Sequence, residues 1–294
     1  MDWQIRLMRY EDLSAITNVE CTALHISKEK SRNTSFLEIA LINNPNGCLV
    51  GVSGGCIVGY IITMITGNVG WIGSIEVSLS QGGNGMKLAL LNEAIKLLSK
   101  KAAVTAIQLP NESIRFIQKC IELGFQLVEP QIVLSKKTKL LSSFKEKNVV
   151  SILELEETFG VTNIITLMAE KKLGKIITLE TEKTPAGKLL LETQPRRLNS
   201  STGYSLITFG NVIRNLTAQP LKTILTIAGK EAMKLNSETL YIALNGFYRN
   251  ELQILIECGW KVVKISQRLI YKKSVSSYKQ TLAKPFIDIS QWTL

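Results

Sequence analysis

At a working average of ~150 residues per domain, the 294 residues make about two domains, enough to bury a core without disulfides or metals. Thirty-five basic and 24 acidic residues give a net charge of +11, with 6% aromatic residues and a single histidine, His25. One histidine excludes zinc sites built on two or three of them, and His25 has no nucleophile-elbow context that would serve a Ser-His-Asp hydrolase. Few aromatics argue against a base-stacking nucleic-acid surface. Cys21, Cys48, Cys56, Cys120 and Cys258 are odd in number and irregular in spacing, which reads as free thiols in a reducing compartment. The opening Met-Asp-Trp-Gln-Ile-Arg-Leu has no basic segment followed by an apolar one, so a cytoplasmic protein is expected.

In chain order, Ile5-Arg-Leu reads as a short strand. Asp12 can cap a helix whose apolar residues Leu13, Ile16 and Val19 recur every three. No charge occurs between Glu38 and Glu76. Pro45, four asparagines and eight glycines break this stretch, so it is not a membrane span. It divides into apolar runs at Cys48–Val52, Cys56–Ile65 and Trp71–Leu79 with turns between them, the pattern of central strands covered on both faces. Ser80-Gln-Gly-Gly-Asn-Gly then opens a helix with a broad apolar face from Met86 to Leu98, closed by Lys100 and Lys101. Val104–Leu109 is a further strand. Asn111 is placed to cap a helix through Ile114, Ile117 and Ile121, and Gly124 suits its C-terminal stop. Phe125–Val128 and Gln131–Leu134 read as strands.

The second half repeats this order. Ile107-Gln-Leu-Pro-Asn, a helix, Leu-Gly-Phe and Leu134-Ser-Lys-Lys return as Ile242-Ala-Leu-Asn, a helix, Cys-Gly-Trp and Ile270-Tyr-Lys-Lys. Asn111 maps to Asn245, Gly124 to Gly259 and Lys137 to Lys273. Ser151–Leu155 and a helix through Ile165, Leu167 and Met168 match the opening strand and helix loosely. The charge excess is spread over both halves, net +4 in residues 1–150 and +7 in residues 151–294. No basic block marks a nucleic-acid tail.

Residues 3–137 resemble the GNAT superfamily of acyl-CoA-dependent N-acyltransferases. The resemblance rests on Arg6-Leu-Met-Arg-Tyr-Glu-Asp-Leu, Gly54-Gly-Cys-Ile-Val-Gly-Tyr-Ile, Val77-Ser-Leu-Ser-Gln-Gly-Gly-Asn-Gly-Met-Lys and the Asn111–Phe125 block. With the repeat it implies a tandem α/β (α+β) protein, domains 1–140 and 148–294. Each has a mixed, mostly antiparallel central sheet flanked by helices. The resemblance implies acetyl-CoA as co-substrate, with no metal. The pantetheine arm would lie between splayed fourth and fifth strands, on backbone groups of Val77 and Leu79. The candidate cofactor contacts continue through Gly82, Gly83, Asn84, Gly85, Met86 and Lys87, with Asn111 beyond. Independently of the resemblance, Gly82, Gly83 and Gly85 permit positive φ and close approach of an anion, and the amides of the following helix can cradle a pyrophosphate. Lys87 can add a charge-assisted contact.

Departures are also visible. Gly82 falls where the family has Arg or Gln, and Lys87 where it has Gly or Ala. The family's proton-donating tyrosine falls on Cys120, which can act as a donor or simply pack in a core. Glu76 alone carries a carboxylate on the fourth strand and is the candidate general base, with a solvent-facing role as the alternative. His25 lies where the family lines its acceptor pocket, although an ordinary surface position also explains it. The second half replaces the glycine-rich turn with Asn215-Leu-Thr-Ala-Gln-Pro-Leu-Lys, and Leu255 stands in its tyrosine position, so a structural role is expected for it. The expected acceptor is a small-molecule or peptide amine. Membrane attachment is not expected, nucleic acid has only the +11 in its favour, and a homodimer is left open. The alternative function is a catalytically silent module that binds CoA or a partner.

Overall fold

The computed structural model describes residues 3–25, 34–66, 68–78, 83–141, 167–171, 173–180, 185–192, 204–212 and 218–271. The first unit runs β1 (Trp3–Leu7), a 3-10 turn (Tyr10–Asp12), α1 (Leu13–Leu24), α2 (Thr34–Asn43), β2 (Leu49–Ser53), β3 (Cys56–Thr66), β4 (Val69–Val77), α3 (Gly83–Leu98), β5 (Val104–Pro110), α4 (Ile114–Glu122) and β6 (Phe125–Lys137). The second contributes β7 (Gly174–Glu180), β8 (Pro185–Glu192), β9 (Tyr204–Val212), α5 (Ala218–Lys234), β10 (Thr239–Asn245), α6 (Arg249–Glu257) and β11 (Lys261–Tyr271).

The described strands form one mixed, mostly antiparallel sheet of eleven, in the order β1-β2-β3-β4-β5-β11-β6-β10-β9-β8-β7. The last strand of each unit sits inside the other. β11 lies between β5 and β6, and β6 lies between β11 and β10. The repeat is exact in register: Val69–Ile72 pair in parallel with Val104–Ile107, and Tyr204–Ile207 with Thr239–Ile242. Helices α4 and α6 follow at the same 135-residue spacing. By that register Asn245 is level with Pro110, so the sequence match of Asn111 to Asn245 is one residue out.

The uncharged stretch forms β2, β3 and β4, buried on both faces as expected. Tyr60, Ile62, Met64 and Trp71 pack beneath α1 and α2, while Ile61, Ile72, Ile75 and Val77 pack with α3 and α4. Helix α2 has no counterpart in the periodicity reading. Its Phe36, Leu37, Ile39, Ala40 and Leu41 are all buried, and a helix apolar nearly all round shows no amphipathic period. It is tied to β3 through Asn43, whose Oδ1 accepts from the Ile65 amide at 2.7 Å and whose Nδ2 donates to the Ile65 carbonyl at 3.0 Å. No helix among the described residues is long and apolar enough to cross a membrane.

The expected strand at 151–155 lies outside the described residues. Residues 167–170 are helical, and Met168 and Leu173 join the core beneath α1 and α2. Lys171 donates to Glu38 of α2, a second point at which the later unit is held on the earlier one.

Asp12 closes the α1 entrance. Its carboxylate accepts two bonds from Arg6, at 2.6 and 2.8 Å, and one from the Arg9 amide at 2.8 Å. The Arg6 guanidinium holds the Asp12 carboxyl below its ordinary value despite its partial burial. A depressed carboxyl contributes stability above the unfolded pKa and loses it as pH falls through the folded one. Asp12→Asn is therefore expected to destabilise by about 1 kcal/mol at neutral pH, since one partner is partly exposed. The gap should close as pH drops below about 4. Urea melts of both proteins at pH 7 and pH 3 measure it, and an unchanged gap at pH 3 would count against the ion pair as its source.

Candidate active site

The site begins with a shortfall in strand pairing. The β4–β5 ladder stops at Ile72 and Ile107, although β4 continues to Val77 and β5 to Pro110. The two strands therefore part, as the resemblance implied. A bulge in β4 between the Ile72 and Ile75 pairings marks the place. Gly73 is required there, because a Cβ would come within 2.8 Å of the Ile62 side chain. Along the rest of β4 the opposite edge still pairs with β3. The Ser78 amide donates to the Val58 carbonyl at 2.7 Å. Alternation then turns the Val77 amide to the other edge, into the gap. Leu79 and Gly82 lie outside the described residues.

Helix α3 starts beyond β4 at Gly83, which with Asn84 occupies its first turn. Gly85 is helical, contrary to the expectation of positive φ there. A Cβ on it would meet no atom within 4 Å, so neither conformation nor packing among the described residues demands a glycine. The open space leaves room for a ligand to approach the backbone. Met86 is not a ligand contact through its side chain. It is fully buried, and its sulfur sits where a Cβ on Gly51 or Gly59 would fall. The helix start is thus pressed onto β2 and β3, and only the Met86 backbone is left for a ligand. Lys87 is half-buried with its ammonium 4.6 Å from the Phe116 ring of α4.

Two expectations on α4 require correction. Its N-cap is Ser113, not Asn111. Asn111 is exposed, and its Oδ1 accepts from Gln267 of β11 at 3.1 Å. Cys120 is completely buried among Leu90, Leu91, Ile117 and Phe125. Burial pushes its thiol up to about 12, with Lys87 pulling weakly the other way. A leaving CoA thiol has the ordinary value near ~8.5. Sealed among these side chains, Cys120 favours packing over proton donation. His25 ends α1 in the left-handed region at φ 52°, and residues 26–33 beyond it lie outside the description.

Glu76 is half-buried and directly opposite Tyr60 in the β3–β4 register, so the two share the face beneath α1. Here the structure adds a residue that sequence reading passed over. Glu20 of α1 is fully buried, and the Tyr60 hydroxyl donates to its Oε1 at 3.1 Å. The signal was present: Glu20 follows Ile16 by four and falls on the buried face of α1 with Leu13 and Val19. A carboxylate at a core position of a helix is costly unless hydrogen-bonded, and Tyr60 supplies that bond. Gln108, Gln131 and Arg268 were also missed. All three are buried, Arg268 donates to Gln108 Oε1 at 3.3 Å, and Gln108 donates to Gln131.

Residues 11–121 match the model of the acetyltransferase (GNAT) family. No curated protein matches the chain. Among solved structures, a protein described as an acetyltransferase from Pyrococcus horikoshii superposes with TM-score 0.64, at 14% identity over 91% of this chain and 88% of that one. A tandem GNAT protein from the clavulanic acid biosynthesis pathway gives 0.59 at 10% identity, over 92% and 98%. A GCN5-related N-acetyltransferase from Sphaerobacter thermophilus gives 0.58 at 10% identity, over 98% of each chain. The fold is thus the two-unit GNAT arrangement. The match to the acetyltransferase (GNAT) family model falls within the first unit.

Proposed function

We propose that the first unit transfers an acetyl group from acetyl-CoA to a primary amine by direct attack. The observation that carries this reading is the parting of β4 and β5 beside the start of α3, with the Val77 amide turned into the gap. An extended pantetheine arm finds unused backbone groups there, as an added strand does. The amides at the start of α3 suit a pyrophosphate, and the open space at Gly85 lets it approach. The amine nitrogen attacks the thioester carbonyl carbon, and the Val77 amide stabilises the oxyanion. Collapse breaks the carbon–sulfur bond. Glu76 takes the ammonium proton, directly or through water, and solvent supplies the proton of the departing thiol. The acceptor is a small-molecule or peptide amine, and the compartment is the cytoplasm.

Thermal shift with millimolar acetyl-CoA, followed by thiol release over an amine panel, tests the reading. Absence of any shift would end it. Gly83→Asp is expected to weaken CoA by at least about 30-fold, near 2 kcal/mol, by setting a carboxylate against the pyrophosphate. Aspartate suits a helix N-terminus, so the fold should survive. Unchanged affinity measured by calorimetry would place the pyrophosphate elsewhere.

One observation favours the silent module instead. The positions matching the family's proton donor are Cys120 and Leu255, both completely buried. Tight CoA binding without turnover of any amine would select that reading.

A further inference from the structure

The second unit places a buried cation beside the point where β4 and β5 part. Arg268 of β11 is opposite Gln108 of β5, the first residue beyond the last β4–β5 pair. It is 0% exposed, with its guanidinium carbon 5.2 Å from the Trp71 ring and an N–H on Gln108. Trp71 belongs to β4 just before the bulge. The guanidinium therefore bridges the two strands where they separate. Two serine hydroxyls lie on the same face. Ser266 is two residues before Arg268 on β11, and Ser74 is two before Glu76 on β4. Both are buried, and neither Oγ has a hydrogen-bond partner among the described residues.

The repeat supplies an internal control. The register that carries Val69–Ile72 onto Tyr204–Ile207 carries Gln108 onto Ala243, Arg268 onto Val133, Trp71 onto Leu206 and Ser74 onto Phe209. The second splay has apolar residues at these four places, whereas Ser266 falls on Gln131 and its partner Pro110 on Asn245, both polar and buried. The sheet junction accordingly does not need a buried guanidinium to form. A buried guanidinium is costly to desolvate, and replacing such groups by apolar ones is often neutral or stabilising. Its retention at one junction only points to a ligand rather than to the fold.

We infer that the acceptor amine carries a carboxylate, and that Arg268 binds it, with Ser74 and Ser266 donating to its oxygens. This rests on the acyltransfer reading and names its substrate class. A planar guanidinium holds a carboxylate through two parallel N–H bonds while keeping an amide partner. Bound so, the amine end of the same molecule extends along the face that carries Glu76. The second unit then has a function in the site. It supplies the strand and the arginine that select the acceptor.

The test uses the full chain saturated with CoA and calorimetric titration with matched pairs, each an amino acid and the amine left by removing its carboxylate. The acids are expected to bind at least about tenfold more tightly than their partners. Arg268→Gln should weaken the acids about ten- to a hundredfold while CoA affinity stays the same. Arg268→Lys, which keeps the charge without the planar fork, should fall between, and it serves if the glutamine variant fails to fold. Equal binding of acids and amines by the native chain, or acid binding unmoved in either variant, would overturn the inference. Loss of CoA binding in the native chain would instead remove the acyltransfer reading beneath it, which the same titrations report separately.

Discussion

Glu76→Gln is expected to lower turnover of the acceptor amine by about two to four orders of magnitude, the range that a positioned general base contributes. The substitution is nearly isosteric, and Glu76 lies on a strand paired to β3 from Gly59 to Thr66, so the backbone that would carry the thioester is unchanged. Acetyl-CoA affinity should therefore hold while kcat falls. At high pH a larger fraction of amine is already unprotonated, and the deficit should narrow. The measurement is thiol release against pH for both proteins, alongside calorimetry with CoA. A variant with native turnover at neutral pH would remove Glu76 from the mechanism. Glu20→Gln then becomes the next substitution to make, because Glu20 sits on the same face against Tyr60.

A chain ending at residue 147 yields no folded monomer. The expectation follows from the sheet order, in which β11 fills the space between β5 and β6. Its Leu269 and Ile270 are both completely buried, in the cores on opposite faces of the sheet. Removing these two side chains forfeits about 3–6 kcal/mol of apolar burial. A whole domain has only about 5–15 kcal/mol in reserve. Two long strands would also be left with open edges, which invite aggregation. Size-exclusion chromatography and thermal melts of the fragment measure this. A monomer with a cooperative melt and CoA binding would show that the first unit is self-sufficient.

Much of the fold was legible because local patterns carried it. The uncharged stretch with its glycines and asparagines could only be strands and turns, and β2, β3 and β4 lie within a few residues of the expected bounds. Gly124 and Gly259 have φ of 99° and 82°, as stops after helices should. Helix α2 was hidden because burial on nearly every side erases the period that reveals a helix. The cap of α4 was misread because Asn111 and Ser113 are equally good capping types, and only the turn of the chain after β5, which ends at Pro110, selects Ser113.

The sequence by itself determined that one α/β plan is used twice, that its uncharged stretch is sheet rather than membrane span, and that the glycine-rich turn belongs to the first copy. These follow from periodicity, turn chemistry and repeat spacing, which act over a few residues. Only the tertiary structure decided that the copies exchange their last strands, that Cys120 is sealed in the core, and that Arg268 reaches Gln108, 160 positions earlier, where β4 and β5 part. Strand exchange depends on which of two similar partners a strand pairs with, and nothing local distinguishes β6 from β11. Burial of a single thiol or guanidinium depends on the sum of all surrounding elements, and that sum exists only once the chain has folded.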